Sequence, residues 1–266
     1  MHTASRRKLR RAWLGARSVI LPIVVMVLLV AVWEASVHLF RIPEFLLPAP
    51  SAILVATSQA AAVVAGHAWA TLFTILAGFA ASIIIGFPLA VAISSSSLLA
   101  NAIYPLLVLT QSIPKIAIAP ILVIVFGANE FPRIIVTFLV AFFPLVISIS
   151  AGLLATPTEL VELGRSLKAS WLQQLFRIRL PAATPFIFAG LKMAVTFSVI
   201  GAVVGEFVAA DRGLGYLITS ATAFFRTPLA FGAVIILSII GIVLFQAVVI
   251  IERVFFPWSI ADNRGL

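Results

Sequence analysis

Few residues in this chain could do chemistry, and their placement is informative. Only 10% of the 266 residues are charged. The absence of cysteine excludes disulfides, thiolate metal sites and thiol nucleophiles. His2, His38 and His67 lie far apart near the ends of apolar runs, a pattern that does not build a metal site. No Gly-x4-Gly-Lys-Ser/Thr loop cradles a nucleotide phosphate, and no catalytic constellation is present, so the chain reads as non-enzymatic. What remains are charges set inside apolar runs. Lys115 follows Pro114 in Gln111-Ser112-Ile113-Pro114-Lys115, and Glu206 continues the i, i+4 series Gly190, Ala194, Ser198 and Ala202. A mid-bilayer lysine costs about 2.5–3.5 kcal/mol on insertion scales, so such a charge is a functional position by default. Two readings of Lys115 stand: a group on a solute path, or an ammonium that neutralises a carbonyl freed by Pro114. The small-residue series also has two readings, a packing seam within one chain or the wall of a central pathway. Glu206 favours the wall, because a carboxylate there faces a cavity or a partner. Glu34, beside Trp33, reads as structural.

The elements that position these residues are membrane spans. Hydrophobic residues make up 62% of the chain and the mean hydropathy is +1.20, so lipid is the solvent for most of the surface. A bilayer core of about 30 Å needs roughly 20 apolar residues per helix. Runs at 19–40, 68–93, 134–154, 186–210 and 229–251 meet this, and the second carries a small-residue series at i, i+4 spacing like that before Glu206: Gly78, Ser82, Gly86, Ala90 and Ser94. A sixth run, 100–126, carries Pro105, Pro114, Lys115 and Pro120 and reads as a bent or broken span. The net charge of +9 does not mark a nucleic-acid binder, since the charges only punctuate apolar runs. Twelve of the 18 Lys and Arg fall on one side: six at Arg6, Arg7, Lys8, Arg10, Arg11 and Arg17, then Arg165, Lys168, Arg177, Arg179, Arg253 and Arg264. Arg41, Arg133, Arg212 and Arg226 lie on the other side, and Lys115 and Lys192 lie within or near spans. The bias predicts six helices with both termini in the cytoplasm. The first run is too long for a signal-peptide core and reads as an uncleaved helix, its basic preface resting on the anionic inner leaflet.

The longest polar stretch between spans, 156–191, starts like a helix. Thr156 reads as an N-cap, Pro157 as the first helical position and Glu159 as the closing half of a capping box. Leu160, Leu163, Leu167, Trp171 and Leu175 recur at spacings of three and four, giving one apolar face, until Pro181 ends the run. Glu162 and Arg165 can pair at i, i+3. Such a helix either lies on the lipid surface or docks in a groove of a soluble partner.

The loop resembles the signature of ABC importer permeases: Glu-Ala-Ala, three residues, Gly, nine residues, Ile-x-Leu-Pro. Glu162-Leu163-Gly164 takes the Glu-Ala-Ala positions, Arg165-Ser166-Leu167 the spacer, Lys168 the glycine, and Ile178-Arg179-Leu180-Pro181 the ending, with Ala169, Ser170 and Trp171 opening the nine. Gly164 and Lys168 depart from the pattern. Ile42-Pro43-Glu44-Phe45-Leu46-Leu47-Pro48-Ala49-Pro50-Ser51, Gln111-Ser112-Ile113-Pro114-Lys115, Gly205-Glu206-Phe207 and Gly213-Leu214-Gly215-Tyr216 are similar to the nitrate/sulfonate/taurine branch. The resemblance implies an all-α type I importer domain in a bacterial inner membrane. It implies a pair of permeases, identical copies being the usual arrangement in this branch, two ATPase subunits that hold the ATP and Mg, and a periplasmic binding protein. Residues 1–17 would be a cytoplasmic segment, 18–62 the first span and external loop, 63–252 the permease core with its coupling loop at 156–181, and 253–266 a cytoplasmic tail. Glu159, Glu162 to Arg165 and Lys168 to Trp171 would contact the ATPase. Gln111, Pro114, Lys115, Ser198, Glu206, Gly213 and Gly215 would line or gate the path. Branch resemblance favours small anions, with Lys115 and Lys192 lending positive potential. A thiamine-type pyrimidine precursor or other flat heterocycle is the alternative. A channel or ion-coupled transporter without an ATPase predicts inverted repeats, of which none is convincing here, and a membrane scaffold leaves the loop signature unexplained.

Overall fold

The computed structural model describes residues 2–259, and the side chains from residue 20 onward apart from residue 209. The basic side chains of Arg6 to Arg17, and Arg264, lie outside the described residues. The described residues form helices and no strand: α1 (His2–Leu39), α2 (Pro50–Gln59), α3 (Ala61–Ser95), α4 (Ser97–Thr110), α5 (Ala119–Phe126), α6 (Glu130–Leu154), α7 (Thr158–Ser166), α8 (Trp171–Gln174), α9 (Leu180–Ala209), α10 (Leu214–Ala223) and α11 (Thr227–Phe255). Five helical stretches are long and apolar enough to cross a bilayer: Ile20–Leu39, α3, α6, Trp171–Val208 and α11. α4 and Lys115–Phe126, bent by 77° at the break between them, are long and apolar enough only together, and make a sixth if the pair is one span. The proline-bearing run is therefore interrupted, as its sequence leads one to expect.

The chain divides into two compact units, residues 1–61 with 221–232, and residues 62–220 with 233–266. In the first, Glu34 near the end of α1 caps α2. Its carboxylate accepts the Ser51 N–H at 3.0 Å and the Ser51 hydroxyl at 2.6 Å, and His38 Nε2 lies 2.9 Å away. Because Pro50 offers no N–H, Ser51 supplies the first donor of this helix, and Glu34 satisfies it.

In the second unit α6 is wedged between α3 and α9. Small residues allow this: a Cβ on Gly78 would strike Thr137, one on Gly86 would lie 3.0 Å from Val146, and one on Gly190 would lie 2.9 Å from Ser148. At Gly201 the obstacle is backbone, the Thr137 Cα at 2.7 Å. Both i, i+4 series thus serve packing inside one chain, where Ala90, Ala194, Ser198 and Ala202 are buried. Leu145, Val146, Ile149 and Leu153 of α6, with Ile93 of α3, form the buried centre.

Candidate functional site

The polar loop folds into an elbow rather than one continuous helix. Thr156, expected to cap α7, instead donates its hydroxyl to Leu153 O at 3.0 Å, satisfying a carbonyl left over at the end of α6. The expected capping box with Glu159 therefore does not form, and Pro157 precedes the helix without a side-chain cap. α7 stops at Ser166 because Lys168 adopts φ +55°. The Lys168 N–H donates to Arg165 O and the Ala169 N–H to Gly164 O, both at 2.9 Å, which is the paired bonding of a Schellman turn. Glycine is favoured at that left-handed position, which accounts physically for the family's preference where this chain has Lys168.

Ser170 then opens α8 with a true capping box. Its hydroxyl accepts the Gln173 N–H at 3.3 Å, and Gln173 Oε1 accepts the Ser170 N–H at 2.8 Å. A π turn over Leu175–Arg179 joins α8 to α9, so Pro181 lies inside a continuous helix instead of ending one. The wider turn sends the Leu180 N–H to Leu175 O and absorbs the bond that Pro181 cannot donate.

The elbow is held by Gly164 and Arg179. A Cβ on Gly164 would lie 2.8 Å from Ile178 Cδ1, so α7 rests closely on the π turn, and Arg179 donates to Ser94 O at 2.9 Å where α3 ends. Val161 and Gly164 face inward. The stripe read as one apolar face points out: Leu163 is 56% exposed, Leu167 74% and Trp171 48%, whereas Leu175 is buried. Glu159, Glu162 and Arg165 are exposed, and among the described residues Glu162 and Arg165 form no ion pair, contrary to expectation. Glu162, Arg165, Arg179, Ser94 and Thr158 line an open polar cavity of about 440 Å³.

At the opposite end of this unit, Glu206 is 1% exposed. Its Oε2 accepts the Gly215 N–H at 2.7 Å and the Thr71 hydroxyl at 3.0 Å, while the Leu214 N–H donates to Thr71 Oγ1 at 2.7 Å. Gly213, at φ +115°, donates its N–H to His67 Nδ1 at 3.1 Å, and any Cβ there would strike the Glu206 carboxyl group. Arg133, buried on α6, donates to Arg212 O at 2.9 Å. Glu206, Gly213 and Gly215 are thus brought together as a latch on the start of α10. Arg133, Thr71 and His67 join it from other helices, a set that linear spacing does not reveal.

Ser198 lies apart, buried, with its hydroxyl donating to Ala194 O at 2.8 Å. Gln111, Pro114 and Lys115 form the break between α4 and α5. Lys115 Nζ donates to Gln111 O at 3.3 Å and sits 4.6 Å over the Phe143 ring, while Gln111, Ser112 and Pro114 are exposed. Lys192 is not a free cation: its Nζ lies 2.5 Å from Glu252 Oε2, and Ser259 donates to Glu252 Oε1 at 3.2 Å.

The family model described as "binding-protein-dependent transport system inner membrane component" matches residues 82–259. The formylaminopyrimidine transport permease protein ThiX of Halalkalibacterium halodurans is 36% identical, over 89% of this chain and 95% of that protein. The riboflavin transport system permease protein RibX of Chloroflexus aurantiacus is 35% identical, over 90% of each. The taurine transport system permease protein TauC of Escherichia coli is 29% identical, over 95% and 94%. An inward-facing structure of the MetNI methionine ABC transporter shares the fold, with a TM-score of 0.62 at 20% identity over 70% of this chain and 92% of that one. With the family model spanning most of the chain and relatives aligned nearly end to end, this multi-pass membrane protein belongs to the binding-protein-dependent transport permeases, as a membrane subunit of an ABC importer.

Proposed function

We propose that two copies of this chain form the pathway of a bacterial inner-membrane importer, with residues 63–252 as its core. Two ATPase subunits carrying ATP and Mg dock on the cytoplasmic elbow, and a periplasmic binding protein delivers the solute. The carrying observation is the outward-facing Leu163, Leu167 and Trp171 stripe on an elbow fixed by its own turns. An apolar face beside unpaired Glu162 and Arg165 suits a groove on a protein partner. In this reading ATP-driven closure pushes 162–170 and alternates the access of the spans. Glu162→Lys tests it: the variant inserts normally but loses the ATPase on co-purification, and unchanged assembly and uptake would sink the assignment.

For the cargo we favour a flat, uncharged heterocycle of the pyrimidine-precursor kind over a small anion. ThiX and RibX are the more similar relatives, at 36% and 35% against 29% for TauC. The electrostatic support for an anion is also weaker, since Lys192 is neutralised by Glu252 and Lys115 is engaged with Phe143. The exposed break at Gln111, Pro114 and Lys115 supports a path there, because irregular backbone at membrane depth is tolerated where it lines water or protein. The latch of Glu206, Gly213 and Gly215 serves as a gate, and Ser198 stands behind the path wall. Uptake by the reconstituted transporter, competed by pyrimidines but not by taurine or nitrate, is the expected result.

A further inference from the structure

We propose that the groove between α9 and α11 is a surface touched by the transported solute, with the Gln246 amide as its hydrogen-bonding group and a planar, uncharged heterocycle as its ligand. The inference rests on the permease reading above and adds a contact residue to it.

α11 is strongly apolar, with a mean hydropathy of 3.1 in its spanning window, yet it carries Gln246 about two and a half turns before its end. This side chain is exposed and makes no hydrogen bond among the described residues. An amide without partners in hydrocarbon costs about 4–8 kcal/mol, so a lipid-facing position is unfavourable and water, solute or protein belongs there.

The surroundings favour a small solute. Gln246, Ser238, Thr196, Gly241 and Phe245 are among the residues lining an open groove of about 430 Å³, within the size range of small-molecule sites. The Thr196 hydroxyl donates to Lys192 O at 3.0 Å and the Ser238 hydroxyl to Val234 O at 2.9 Å, which leaves both oxygens free to accept. No charged side chain lines the groove, so it offers a sulfonate or nitrate no counter-charge. An amide that both donates and accepts matches the alternating edge of an aminopyrimidine, and Phe245 offers an apolar ring face.

The test uses the permease reconstituted with its ATPase and binding protein. The chain contains no cysteine, so Gln246→Cys introduces its only thiol. A membrane-impermeant maleimide is expected to label that thiol, at least fivefold more slowly during ATP-driven uptake of a formylaminopyrimidine, and to leave Val243→Cys unlabelled. Gln246→Leu is expected to raise the KM for uptake roughly tenfold, the loss of one hydrogen bond, with complex yield unchanged. An inert Gln246→Cys thiol, or one that cross-links two copies of the chain, overturns the groove as a solute surface. Labelling with an unchanged KM for Gln246→Leu overturns the contact alone. Wild-type uptake indifferent to pyrimidines overturns the ligand class and the cargo proposed above, while the labelling pattern still reports separately on the groove.

Discussion

Glu206 caps α10 from a neighbouring helix, its Oε2 accepting the Gly215 N–H at 2.7 Å while Gly213 leaves room for the carboxyl group. A helix N-terminus carries partial positive charge and unpaired N–H groups, so it partly offsets the burial of this carboxyl group, whose bonds all fall on Oε2. Glu206→Ala should destabilise the protein by about 3 kcal/mol, because it strips a buried cap and leaves the Gly215 N–H and the Thr71 hydroxyl without their acceptor. Glu206→Gln should cost less, since its amide oxygen still accepts the Gly215 N–H. Thermal unfolding of the two purified variants checks the order.

Lys168 occupies a left-handed position with φ +55°. Replacing it by glycine should stabilise the elbow by about 1 kcal/mol, and Lys168→Val should destabilise it by at least as much. Hydrogen exchange at the Ala169 amide, which donates to Gly164 O, reads this locally.

Gly164 and Gly201 face different obstacles. At Gly164 the nearest atom is the flexible tip of Ile178, so Gly164→Ala should cost less than about 1 kcal/mol, whereas Gly164→Phe should lift α7 and uncouple ATP hydrolysis from uptake. At Gly201 the obstacle is the Thr137 backbone, so even alanine should cost about 2–3 kcal/mol. Gly66 has open space and its alanine variant should be neutral or slightly stabilising. Melting temperatures of the three alanine variants test the contrast.

Lys192 and Glu252 tie α9 to the end of α11. Either charge reversal alone should cost about 3–5 kcal/mol, since it leaves like charges facing each other in a poorly hydrated place. The double variant Lys192→Glu with Glu252→Lys should recover much of that loss. Yields and melting temperatures of the three proteins, compared as a double-mutant cycle, give the coupling.

The spans were legible because 20-residue apolar runs have few alternatives, and the interruption at Pro114 was legible because proline withholds a donor. The elbow was only half legible. Ser170 and Gln173 spell a capping box in sequence, but Thr156 and Glu159 spell one too, and only the competing carbonyl at Leu153 decides between them. The latch was hidden because Thr71, Arg133 and Glu206 are brought together by packing across three helices. Lys192 looked like a free cation for the same reason, its partner being 60 positions away in sequence.

The helix from Trp171 to Val208 has a mechanical consequence. It is continuous over 38 residues, roughly 57 Å at 1.5 Å per residue, and it begins in the elbow and ends just past Glu206. Gly190 and Gly201 seat it tightly on α6, which resists sideways bending. Above the π turn it should therefore act as a rod: a shift of the elbow is passed along α9 to Glu206, whose hydrogen bond to the Gly215 N–H hands it to α10 across the short segment 210–213.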